Sequence, residues 1–90
     1  MLFIVIERFQ DASAVYRRFR EKGRMLPDGL KYVDSWVEAN FNRCFQLMEC
    51  DDVRLFQEWV AHWHDLADFE IVPVSHSKDA AAMFDNEATH

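Results

Sequence analysis

Residues 30–50 read LKYVDSWVEANFNRCFQLMEC, two strand-like segments separated by a short break around Asn40 and Asn42. Aromatic, β-branched and apolar residues recur through both, and such residues suit a pleated, half-buried surface. Strands over 30–38 and 43–50 leave a four-residue loop, short enough to close a hairpin. That loop pairs Glu38 with Arg43, Trp36 with Phe45 and Asp34 with Leu47. The first pair matches charges and the second joins two aromatic rings, both favourable across a ladder. A slip of one residue would turn every side chain to the opposite face. In this register Tyr32, Asp34, Trp36, Phe45 and Leu47 share one face, and Val33, Ser35, Val37, Cys44, Gln46 and Met48 share the other.

Working outward, residues 2–9 form a strand whose first five residues are apolar on both faces, as a central strand requires. Residues 68–75 form the last strand. Pro73 within it cannot donate to a ladder, which assigns it to a sheet edge. Between strands one and two, Asp11 or Ser13 caps a helix with Ala12, Val15, Tyr16 and Phe19 as its buried stripe. Gly23 ends it, and Leu26-Pro27-Asp28-Gly29 reads as a type I turn. Between strands three and four, Asp51 or Asp52 caps a second helix striped by Leu55, Phe56, Trp59, Val60 and Trp63. The order strand, helix, strand, strand, helix, strand is that of a ferredoxin-like α+β fold: a four-stranded antiparallel sheet with two helices on one face. Residues 1–76 make the domain. Ser77 caps a short helix over 79–84, and 85–90 form a frayed tail.

The chain has 90 residues, room for one core. Three Trp and eight Phe exceed what a two-helix, four-strand layer needs inside, which points to self-association. A net charge of −6 argues against nucleic acid and anionic membrane as partners. Helix one nonetheless carries Arg17, Arg18, Arg20, Lys22 and Arg24, either a solvated face or a docking surface for an anionic ligand or acidic neighbour. No secretory signal or membrane-spanning stretch is visible, so a cytoplasmic protein is expected. Cys44 and Cys50 lie in one strand, roughly 20 Å apart when extended, too far for a disulfide. They read as free structural thiols in a reducing compartment.

Three segments carry a family resemblance: MLFIVIERF at 1–9, YVDSWVEANFNRCFQLMECDD at 32–52, and FQEWV with Trp63 after it. Together they resemble a family of short bacterial proteins known only as a domain of unknown function, similar to the dimeric α+β barrel group. The likeness covers most of the chain, to about Ser77, and is best marked at CFQLMEC. It implies a homodimer in which two ferredoxin-like sheets pack face to face. The wider group includes cofactor-independent monooxygenases, muconolactone isomerases, stress-responsive barrel proteins and haem-binding relatives. None of their catalytic residues aligns here, so the likeness leaves activity open and no cofactor is assigned.

Several residues are candidates for chemistry or contact. His62 and His64 stand two apart, so on a helix they point roughly 200° away from each other. That spacing does not make a metal pair, and no metal site is expected, although a lone His as acid or base remains open. Trp36 on an open sheet face, with Asp34, Phe45 and Leu47, forms the expected dimer interface. Gln46 beside Ser35, Cys44 and Met48 is either a satisfied core amide or a polar handle in a pocket. Glu7 and Arg8 close strand one, where an ion pair with helix one or Arg43 is the default.

Two functional readings follow. In the first, a small aromatic or apolar molecule binds between sheet and helices, with or without cofactor-independent catalysis. Tyr16, Met48, Trp59 and Trp63 are its walls and Tyr32, Gln46 and His62 its polar handles. In the second, the chain is a non-enzymatic homodimeric module with a packed interior. A cavity above roughly 300 Å³ with Gln46 or a His in its wall would favour the first. A solid core with every polar atom paired would favour the second.

Overall fold

The structure is a computed structural model that describes residues 1–84. The expected tail at 85–90 lies outside the described residues. The elements run β1 (Leu2–Phe9), α1 (Ala12–Lys22), β2 (Lys31–Val37), β3 (Arg43–Glu49), α2 (Arg54–Ala61), β4 (Ala67–Val74) and α3 (Ser77–Ala82). The four strands form one antiparallel sheet in the order β2-β3-β1-β4. This is the ferredoxin-like arrangement, with the doubly apolar β1 inside and the proline-bearing β4 at an edge.

Val15 from α1 and Phe56 and Trp59 from α2 join Phe3, Val5 and Met48 of the sheet in one core, so both helices cover the same face. Phe3 and Phe56 meet edge to face, their ring centroids 4.8 Å apart. The opposite face carries no helix from this core. Across it run rows such as Trp36–Phe45–Ile6 and Leu47–Ile4–Val72.

Local chemistry explains the helix ends. Asp11 caps α1, its Oδ1 accepting the Ala14 N–H at 3.1 Å. Gly23 follows at φ 68, a conformation L residues avoid, and its N–H closes on the Phe19 carbonyl at 2.8 Å. The cap position of α2 falls on Val53, which has no acceptor. Asp52 just before it supplies one, with Oδ1 3.0 Å from the Arg54 N–H. Helix α2 ends at Ala61, so Trp63 lies in the following turns and is still buried.

Four local expectations need correction. The turn after α1 closes one residue later than expected: the Leu30 N–H bonds to the Pro27 carbonyl at 3.2 Å. Gly29 then holds the third turn position at φ 94, where a type II turn needs a positive angle. Arg24 lies beyond the end of α1 and is not part of its basic face. Ser77 is the first residue of α3; the cap position is His76, with no side-chain bond, and the helix ends at Ala82.

The fourth correction matters most for the site. The hairpin pairs Trp36 with Phe45 and Asp34 with Leu47, and the Glu38 N–H bonds to the Arg43 carbonyl, as the loop length requires. Between Tyr32 and Asp34 the register shifts, so Tyr32 lies opposite Met48. Val33 is the extra residue of this bulge, exposed and unpaired in the ladder. Tyr32 therefore stands on the helix-covered side with Met48 and Ser35, not with Trp36. Its hydroxyl lies 2.7 Å from Ser35 Oγ, a bond that ties the two sides of the bulge together.

Candidate functional site

A half-open cleft of about 160 Å³ lies between the sheet and the helices. Its floor is Glu7 and Phe9 of β1, Cys44 and Gln46 of β3, and Ser35 and Val37 of β2. Its walls are Val15, Tyr16 and Phe19 of α1, with Trp59 and Trp63 from and after α2. Arg24 completes the lining from the loop after α1.

The polar centre is Glu7, 5% exposed and carried on the face of β1 that also presents Phe3 and Val5. Strand alternation sends position 7 to the same side as positions 3 and 5. Gln46, also 5% exposed, donates from Nε2 to Glu7 Oε1 at 3.0 Å. Burial pushes the Glu7 carboxyl up from its usual 4.5 to about 7, against the opposing pull of Gln46 and of the Arg24 charge. A carboxyl poised there can hold or release a proton near neutrality. The Gln46 Oε1 atom is buried and has no hydrogen-bond partner. Unsatisfied buried acceptors are rare, because each forgoes its bonds to water.

Arg24 is placed by its backbone. The indole N–H groups of Trp59 and Trp63 both donate to its carbonyl, at 2.9 and 3.0 Å. The adjoining Met25 takes a positive φ of 59, so these two bonds hold a strained loop over the cleft. The Arg24 guanidinium lies 3.7 Å from the Tyr32 ring centre and 5.0 Å from that of Phe19. Cys44 is buried next to Glu7, and the loss of water pushes its thiol up to about 11, so it stays protonated and a poor nucleophile. Burial also raises the Tyr16 hydroxyl, with Cys44 and Glu7 adding to the shift.

Of the residues expected at a pocket, Tyr16, Gln46, Trp59 and Trp63 line the cleft together. Tyr32 adjoins it through Ser35 and Arg24. Met48 is fully buried in the core beyond it. His62 is exposed and outside; its backbone carbonyl accepts from Arg18, which also grips Asp65 with two bonds of 2.7 and 2.8 Å. His64 is exposed as well, and among the described residues no cluster of three or more His, Cys, Asp or Glu could hold a metal ion.

Glu7 and Arg24 were missed as site residues. Glu7 at a strand end reads like half of an ion pair, yet Arg43 is paired with Glu38 at 2.8 Å and Glu7 turns inward. The one legible signal was that position 7 continues the odd-numbered, core-facing series of β1. The expected interface residues Trp36, Phe45, Leu47 and Asp34 all lie on the sheet's open face, and Trp36 is 52% exposed.

The cleft and its buried Glu7–Gln46 pair sit in segments spanned by one family match. A family described as "Domain of unknown function (DUF3303)" matches residues 1–88. The chain belongs to that family. The match extends past Ser77, where the resemblance in the sequence faded. Among curated proteins and among solved structures nothing matches. Within the described residues no helix of this DUF3303 domain is long and apolar enough to cross a membrane.

Proposed function

We propose that this DUF3303 domain binds a small, one-ring aromatic or apolar molecule in the cleft, with Glu7 as the group that takes or gives a proton. One observation carries the reading: an apolar cleft is lined by a buried carboxyl held at about 7, bonded to a buried amide that lines the same cleft. A domain that acted only as a packed scaffold would gain stability by replacing both groups.

The cleft is smaller than the roughly 300 Å³ at which drug-sized sites begin. Its volume of about 160 Å³ instead resembles apolar cavities of about 150 Å³ that accept one benzene ring. Flavin and haem are therefore poor candidates for this space. A thermal-shift and ligand-observed NMR screen of one-ring aromatics tests the reading. Binding should shift the indole N–H signals of Trp59 and Trp63, which line the cleft. A blank across such compounds, with the protein folded, would refute it.

A second reading concerns assembly and is compatible with the first. We propose that two copies pair through their open sheet faces, as in a dimeric α+β barrel. The supporting observation is the apolar row Trp36–Phe45–Ile6 on the helix-free face, with Trp36 exposed and Phe45 and Ile6 half-buried in the single chain. Light scattering that finds a monomer at micromolar concentration would dismiss the pairing.

A further inference from the structure

We propose that the ring bound in the cleft carries a carboxylate, and that the Arg24 guanidinium holds it. This inference rests on the cleft being a small-molecule site and adds the class of ligand. Arg24 lines the cleft and is half-buried, so it keeps surface that a ligand can meet. Its guanidinium lies over the rings of Tyr32 and Phe19, and Phe19 lines the same cleft. Those aromatic faces offset part of its charge but supply no anion. Among the described residues the arginine ion pairs engage Arg18, Arg43 and Arg54, and Arg24 has none. The two indole bonds to its carbonyl fix the loop that carries it, so the charge is seated before any ligand arrives. A half-buried cation without a counter-ion invites one, and the planar guanidinium fork fits a carboxylate through two bonds.

Glu7 opposes an anion, and the balance of charges in the lining decides the sign. The lining groups that titrate or carry charge are Glu7 of β1, Tyr16 of α1, Arg24 of the next loop and Cys44 of β3. Strand β2 and the α2 side contribute Ser35, Val37, Trp59 and Trp63, none of which titrates. Burial pushes Tyr16 and Cys44 up, so both stay neutral near pH 7. The guanidinium keeps its charge. Burial holds Glu7 at about 7, against the bond from Gln46 and the pull of Arg24. The lining is therefore net positive while Glu7 is protonated and neutral once it ionises, but never net negative. An ammonium group gains from ionised Glu7 only what it loses to Arg24. A carboxylate gains from Arg24 outright whenever Glu7 holds its proton, and its charge favours that protonated state.

The test titrates the full chain with benzoate, benzamide, benzylamine and toluene, read on the indole N–H signals of Trp59 and Trp63. At pH 6 benzoate should bind about tenfold more tightly than neutral benzamide, the scale of one charge-assisted pair, and benzylamine more weakly than either. From pH 6 to pH 8 the benzoate affinity should fall by up to about tenfold as Glu7 loses its proton, while that of benzamide hardly changes. These comparisons need no variant. Arg24→Met keeps the backbone carbonyl that the indoles hold and should bring the ratio of benzoate to benzamide to about one. Benzoate binding no tighter than benzamide at pH 6 overturns the inference, and the cleft reading stands if any of the other three moves the indole signals. A benzoate preference that survives in Arg24→Met, or that is unchanged at pH 8, overturns the pairing with Arg24 beside Glu7. If none of the four moves those signals, the cleft reading falls and this one with it.

Discussion

Each face of the sheet carries an exception to the usual relation between polarity and burial. On the helix-covered face, Glu7 and Gln46 are buried among Phe9, Trp59 and Trp63. On the open face, Trp36 is 52% exposed, next to Phe45 on the neighbouring strand. Buried polar groups lower stability unless something pairs with them, and an exposed apolar ring favours association with whatever covers it. On the proposed reading, a small ligand would occupy the cleft on the covered face and a second copy would cover the open one.

The largest effect expected is on the covered face. Phe56 is 2% exposed and packs edge to face on Phe3. Phe56→Ala should cost about 3–5 kcal/mol of unfolding free energy, measured in urea. A loss below about 1 kcal/mol would mean that this face is loosely packed, and the contrast between the faces would vanish.

Glu7 gives a sharper probe, because its effect has a sign that depends on pH. Its carboxyl sits near 4.5 when unfolded and at about 7 when folded. Between those values the folded chain holds the extra proton, so stability falls as pH rises. The decline should total about 3 kcal/mol and level off above pH 7. Glu7→Gln, which never ionises, should match the parent protein below pH 4.5 and exceed it by about 3 kcal/mol at pH 8. Equal stability at pH 8 would show that the carboxylate is not held at a cost, and would weaken the acid–base role.

On the open face Trp36→Ala should act on association, not on the fold. A central aromatic anchor in a dimer interface is worth about 2 kcal/mol, or roughly a 30-fold weaker dimer by sedimentation equilibrium. The chain's own unfolding should change little. If instead the variant unfolds while association is unaffected, the open face is not the interface.

The smallest effect concerns the residue that the bulge moves from one face to the other. Tyr32→Phe removes the hydroxyl that meets Ser35 at 2.7 Å. The loss should be about 1 kcal/mol. A neutral result would mean that the bulge at Val33 holds without that bond.

Much of the fold was legible because its signals are local. The doubly apolar run of β1, the proline in β4 and the helical stripes each announce an element within a few residues. The hairpin register was legible for Trp36–Phe45 and Asp34–Leu47 because loop length counts residues outward from the turn. It failed at Tyr32 because a bulge adds one residue, and no local pattern marks Val33 as the extra one. The candidate site was half legible. Gln46, Tyr16, Trp59 and Trp63 were visible as a polar residue and aromatics at core-facing positions. Glu7 was not, since a charged residue at the end of a strand ordinarily faces solvent. Arg24 looked like one more charge on a basic helix.

Residue order settled which segments are strands and helices, which strand lies at an edge, and how the hairpin closes, since each depends on neighbours a few positions apart. Tertiary structure alone brought Glu7 against Gln46, 39 positions away, and hung Arg24 from two indoles 35 and 39 positions on. The proton affinity of Glu7 and the unpaired oxygen of Gln46 arise from that meeting, because burial and hydrogen-bond supply are properties of an environment and not of a residue type.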